Sequence, residues 1–120
     1  MSMPLNEAEL RARLATRELG RTMTLAGEVA STSDLARRLG GEGAAHGHLV
    51  HAESQSAGRG RLGRGWVSPP GRNLLFSLLL RPRLPLRRAP ELTLVAAVAA
   101  CEALRGLGVE AAIKWPNDLQ

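Results

Sequence analysis

The chain has 120 residues with 16 Lys and Arg against 11 Asp and Glu, and its 44% apolar share lies well above that of a disordered chain, so one ordinary domain with a packed core is expected. A single cysteine, Cys101, excludes an intrachain disulfide and a paired-cysteine metal site. The longest uncharged apolar run, Leu92 to Cys101, is too short to cross a bilayer, and the acidic first residues around Glu7 and Glu9 hold no apolar core of signal-peptide length.

These features fit a soluble protein of a reducing cytoplasm. The formal charge is +5, and every basic residue except Lys114 is arginine. The planar arginine fork binds carboxylate or phosphate in bidentate fashion, which favours an anionic ligand or partner, although a GC-rich genome gives the same excess. Trp66, Phe76 and Trp115 are the only aromatics, so the core must be aliphatic.

Asn6 followed by Glu9 has the form of a capping box, with Leu5 and Leu10 placed as a staple, and predicts a first helix from about Glu7 to Leu19 that stops at Gly20. Residues 1–21 thus read as a helical leader. Thr22 to Val29 is a β-prone stretch, and Ser31-Thr32-Ser33-Asp34 opens a brief helical pattern ending at Leu39. His48 to Glu53 reads as a strand. Ser54 to Asn73 carries no hydrophobic periodicity and forms a long loop. Leu74 to Leu80 suits a buried strand that ends before Pro82. Arg81, Arg83, Arg87 and Arg88 make a basic, Pro-containing linker that also reads as a solvated turn.

Pro90 opens a helix to about Leu107 whose charged positions, Glu91, Glu102 and Arg105, share one narrow stripe, so its remaining face should pack on a sheet. Val109 to Trp115 looks like a further strand, with Pro116-Asn117-Asp118 as the turn beyond it. Strands and helices intermingle without regular βαβ periodicity. The expected class is α/β (α+β), a mixed β-sheet flanked by helices.

The most informative segment runs from Gln55 to Pro69. Glycines at 58, 60, 63 and 65 let the backbone approach a ligand closely, while Arg59, Arg61 and Arg64 supply charge that no acid in the segment cancels. Such a loop is suited to anions. The same composition occurs in nucleic-acid-binding tails, so an Arg/Gly-rich nucleic-acid-binding module is the alternative; against it, the chain lacks a set of aromatics for base stacking. His46, His48 and His51 lie close together, but their spacing on a loop and strand does not suit a metal site.

The string Gln55 to Pro69 resembles the glycine and arginine loop of biotin protein ligases, including the Gln before it and the Trp-x-Ser-Pro after it. Ser31-Thr32-Ser33 resembles the start of that family's biotin site, Asn73 to Ser77 its following strand, and Lys114-Trp115-Pro116-Asn117-Asp118-Leu119 its second signature. The four places keep the family's order. Ser33 departs mildly, since Asn is common there. The resemblance covers residues 22–120 as the first part of a catalytic domain of the biotin/lipoate ligase type. The family continues with more sheet, a further lysine and a small C-terminal domain, so the chain corresponds to a truncated version or fragment, not competent by itself. Members that regulate transcription carry an N-terminal winged helix for which the leader has no room, so DNA binding is not implied.

By that resemblance the chain is a biotin-[carboxyl carrier protein] ligase. Biotin would attack the α-phosphate of Mg²⁺-ATP, and a lysine of a biotin carboxyl carrier protein domain, as in acetyl-CoA carboxylase, would then displace AMP. The resemblance places biotin at Ser31, Thr32, Ser33, Gln55, Gly58, Arg59, Gly60 and Arg61. It places ATP and the adenylate at Arg61, Arg64, Trp66, Asn117 and Asp118, with Asp118 nearest the Mg²⁺ that accompanies the phosphates; Trp66 reads equally as an anchor of the loop in the core. Arg59, Arg61 and Lys114 are the expected catalytic residues, because two anions must meet and their repulsion must be offset. A Gly-hinged loop that closes over the adenylate would exclude water. Ser31 to Asp34 also reads as a helix N-cap, and the two roles can coexist. The partners implied are biotin, ATP and the carrier domain, without a membrane, and a homodimer is left open.

Overall fold

A computed structural model describes residues 4–57, 73–114 and 118–120, of Asp118 the backbone only. These residues form two compact units, 1–81 and 82–120.

In the first unit, α1 (Glu7–Arg13) starts as its sequence dictates. Asn6 is the N-cap, and its side chain accepts from the Glu9 N–H at 3.1 Å. The helix ends well before the expected Leu19, however. Arg21 is the reason: its guanidinium donates to the carbonyls of Arg11, Leu14 and Thr16, satisfying the end of a short helix, and the chain runs on in irregular form to Gly20.

The strands β1 (Met23–Val29), β2 (Leu49–Gln55) and β3 (Leu75–Leu78) make one mixed sheet in the order β1-β2-β3. β1 and β2 are parallel, with Met23 opposite Leu49 and Val29 opposite Gln55. β3 runs antiparallel to β2, with Val50 opposite Ser77. The helix α2 (Thr32–Gly41) is the crossover between the parallel pair and packs on β2 and β3. This β1-α2-β2 unit with an antiparallel third strand is the mixed α/β arrangement that the sequence predicts.

Alternation along the strands sorts the sheet into two faces. Val50 and Ala52, fully buried, share the α2 face with Ser77 and with Leu79, whose methyl lies where a Cβ on Gly40 would come within 2.9 Å. His51, only 3% exposed, lies on the opposite face between Leu25 and Phe76 in the neighbouring strands.

The second unit has a 3-10 turn at Leu86–Arg88, then α3 (Pro90–Gly106) and a short antiparallel ladder of β4 (Ile113–Lys114) and β5 (Asp118–Leu119). Pro90 occupies the first helical turn, where a missing N–H costs nothing. Arg88 makes a forked contact to Glu91 at 2.8 and 3.2 Å, and this hydrogen bond raises the already high guanidinium pKa.

The helix packs against β4 and β5 through Ala97 and Cys101, one turn apart. Its expected apolar face is only partly covered, since a ladder of two residues per strand spans a narrow line, and Val95 remains 63% exposed. The expected Val109 to Trp115 strand is also shorter. Residues 109–111 are held on the end of the helix instead: the Val109 N–H donates to the Leu104 carbonyl, and Arg105 Nε and Cys101 Sγ both donate to the Ala111 carbonyl. Only from Ala112, which exchanges both backbone bonds with Gln120, does the chain pair as a strand.

Candidate functional site

The parallel pair ends at Val29 and Gln55, and backbone bonds from Ser56 to Val29 (3.0 Å) and from Ala57 to Ala30 (2.8 Å) continue the pairing to the start of the glycine and arginine loop. At this end the chain leaves β1 and enters α2. Carboxyl ends of parallel strands beside a helix N-terminus form a common ligand position, because unpaired N–H groups converge there.

Ser31 is the N-cap of α2: its backbone is extended and its hydroxyl accepts from the Asp34 N–H at 3.3 Å. It is 6% exposed and Thr32 is 4% exposed, so both hydroxyls belong to the interior of the site. Replacing Ser31 by Ala removes an acceptor from an orphan helix N–H, and a stability loss of about 1 kcal/mol is expected. Equilibrium denaturation would reveal it, and an unchanged midpoint would show that this cap contributes nothing.

Gln55 crosses from β2 to the same helix end. Its Oε1 accepts from the Thr32 N–H at 2.8 Å. Since an N–H must meet the oxygen, this bond fixes the amide orientation, and the Nε2 protons form the other side of the group. The Thr32 hydroxyl lies 2.9 Å from the Ser77 hydroxyl, which also lies 3.1 Å from that of Ser33. The structure therefore brings Ser31, Thr32, Ser33 and Gln55 close together and adds Ser77, which the sequence reading placed on a strand without a role. Its one signal in the sequence was its place at the end of the Asn73 to Ser77 motif.

Gly58, Arg59, Gly60, Arg61, Arg64, Trp66 and Asn117 lie outside the described residues, and so does the side chain of Asp118. Lys114 is exposed on β4, opposite Asp118 in the ladder. The three histidines have separate surroundings. His46 accepts from the Arg81 N–H at 2.9 Å and stands 3.5 Å from Glu18. His48 bridges the hydroxyls of Thr22 and Thr24. Buried His51 has an Nδ1 without a hydrogen-bond partner among the described residues. Among those residues no group of three His, Cys, Asp or Glu could hold a metal ion, and no helix is long and apolar enough to cross a membrane.

Residues 27–120 match the model of the biotin/lipoate A/B protein ligase family. The chain is 41% identical over 116 residues to the bifunctional ligase/repressor BirA of Bacillus spizizenii, which covers 96% of this chain and 36% of the relative. It is 32% identical over 123 residues to the biotin–[acetyl-CoA-carboxylase] ligase of Mycobacterium tuberculosis, covering 97% of this chain and 46% of that one. Among solved structures, the biotin protein ligase of Aquifex aeolicus in complex with biotin and ATP superposes with a TM-score of 0.69 at 36% identity, over 82% of this chain and 41% of that chain. The chain thus spans less than half the length of these relatives. The match includes the glycine and arginine loop and both flanking motifs, so a nucleic-acid-binding module finds no support in it.

Proposed function

The chain belongs to the biotin/lipoate A/B protein ligase family, and from that premise we propose that its protein is a biotin-[carboxyl carrier protein] ligase. The observation that carries the reading is the cluster of Ser31, Thr32, Ser33 and Gln55 at the carboxyl end of the parallel strands. A ureido ring presents one carbonyl acceptor and two N–H donors. Hydroxyls that either donate or accept, beside an amide whose Nε2 protons face away from Thr32, complement such a ring without any charge.

The chemistry then needs a second, cationic half. A carboxylate is a poor electrophile, so a biotin carboxylate oxygen attacks the α-phosphorus of ATP, the bond to the pyrophosphate oxygen breaks, and biotinyl-adenylate forms. The amine of a carrier lysine attacks the acyl carbon next, AMP leaves with the bonding pair, and the amine loses a proton. Arg59, Arg61 and Arg64 follow Gln55 directly in the chain, and in this reading they offset the repulsion of the two anions. Gly58 and Gly60 allow their backbone to approach, Trp66 walls the adenylate, and Lys114, Asn117 and Asp118 act on the phosphate side. Mg²⁺ arrives with ATP as part of the substrate.

The carrier domain of a carboxylase is the protein substrate in this reading, and the cytoplasm, where carboxylases and ATP meet, is the compartment. The repressor activity named for the Bacillus relative is not carried over. The test is biotin-dependent exchange of labelled pyrophosphate into ATP, made on the protein as its cell produces it. Exchange that requires biotin is expected, and exchange equally fast without biotin, or supported by lipoate alone, would remove the proposal.

A further inference from the structure

Ser77 has no part in the reading above, yet its hydroxyl lies within hydrogen-bond distance of both Thr32 and Ser33. A hydroxyl carries one proton and accepts through two lone pairs. Three hydroxyls in a row therefore hold three protons, of which two are used in the bonds between them. If Thr32 and Ser33 both turned their protons outward, each would need a proton from Ser77, and Ser77 has only one. With both bonds intact, one of the two at most can donate to a ligand, and the other then donates inward and presents lone pairs outward.

We propose that Ser77 is a positioning residue that makes the Thr32 and Ser33 hydroxyls opposite in sense, one a donor and one an acceptor, and so selects a ligand edge with a carbonyl oxygen next to an N–H. Such an edge belongs to a neutral urea. The protonated form of 2-iminobiotin is a guanidinium and offers N–H donors on all sides. It needs both hydroxyls as acceptors, so none of the three protons can go to the ligand, and the one left over from the two internal bonds must find another acceptor around the half-buried Ser77. Ser77 thus acts through its neighbours and favours the urea over the guanidinium. The inference rests on the biotin reading and deepens it.

The experiment measures dissociation constants for biotin and for 2-iminobiotin at a pH where the latter is protonated, together with KM and kcat of pyrophosphate exchange, in wild type, Ser77→Ala and Ser77→Thr. In Ser77→Ala the two neighbours are released from each other. Biotin should bind about tenfold more weakly, the loss should fall on KM with kcat nearly unchanged, and the preference for biotin over 2-iminobiotin should shrink by a similar factor. Ser77→Thr, which restores a hydroxyl on a residue suited to strands, should recover most of both. A fall of equal size for the two ligands in Ser77→Ala, or a Ser77→Thr protein that melts like wild type without recovering the preference, overturns the positioning role. Unchanged biotin binding in Ser77→Ala overturns it as well. A wild-type protein that does not bind biotin overturns the ligase reading and this inference with it, and the wild-type measurement alone separates that outcome from the others.

Discussion

Gly47→Ala is expected to destabilise the first unit by about 3 kcal/mol, the sum of a left-handed backbone and a collision that no rotamer relieves. Gly47 has φ of +86°, and a Cβ there would fall on the carbonyl oxygen of Glu18 and lie 3.2 Å from Leu19 Cα. All these neighbours are backbone atoms. They are also tied in place, because the Gly47 N–H donates to the Leu79 carbonyl at 2.7 Å and its own carbonyl accepts from the Gly20 N–H at 2.8 Å. One residue thus joins the segment before β1, the entry to β2 and the end of β3.

Gly43 provides the comparison. Its φ is +97°, beyond the C-cap of α2, but a Cβ there meets nothing within 4 Å. Gly43→Ala should cost only the conformational part, about 1 kcal/mol. Urea denaturation of both variants measures the difference, and equal midpoints would show that the contact with Glu18 is unimportant.

Gln55→Glu should weaken biotin binding by about a hundredfold while leaving the fold intact, since the substitution removes the amide protons and keeps the oxygen. The carboxylate can still accept from the Thr32 N–H, and a negative charge at a helix N-terminus is favourable. It cannot donate to a urea oxygen. Gln55→Ala should differ in kind, because it also leaves the Thr32 N–H without its partner and costs about 1 to 2 kcal/mol of stability. Calorimetric titration with biotin, paired with thermal melts, separates the two effects. A Gln55→Glu protein that bound biotin as tightly as wild type would remove Gln55 from the binding site.

The first unit was largely legible because its signals are local. Strand propensity located β1 and β2 within a residue or two, and Ser31 before Asp34 announced the start of α2 by a bond that spans three residues. The failures came where distant residues intervened. Arg21 closes α1 from beyond the helix, and Arg105 and Cys101 detain Ala111 on α3, so neither the early end of α1 nor the short β4 could be read from the segments themselves. The site divides in the same way. Ser31, Thr32, Ser33 and Gln55 were singled out within their motifs, whereas Ser77, although it closes the Asn73 to Ser77 motif, gains its significance from a sheet register that places it beside α2, and periodicity carries no register.

The position of β2 in the sheet also makes the first unit depend on long-range pairing. It is the central strand, yet it is joined to neither neighbour by a hairpin: Met23 pairs with Leu49 across the whole of α2, and Ala52 pairs with Leu75 across the glycine and arginine loop. Each ladder closes only after a long stretch of chain has lost its freedom, so folding is governed by loop closure more than by helix formation. The cluster inherits that dependence: the Ser31, Thr32 and Ser33 hydroxyls stand at the start of α2, and that of Ser77 reaches them only through the β2–β3 ladder, so the four share one place only once distant stretches of chain have paired.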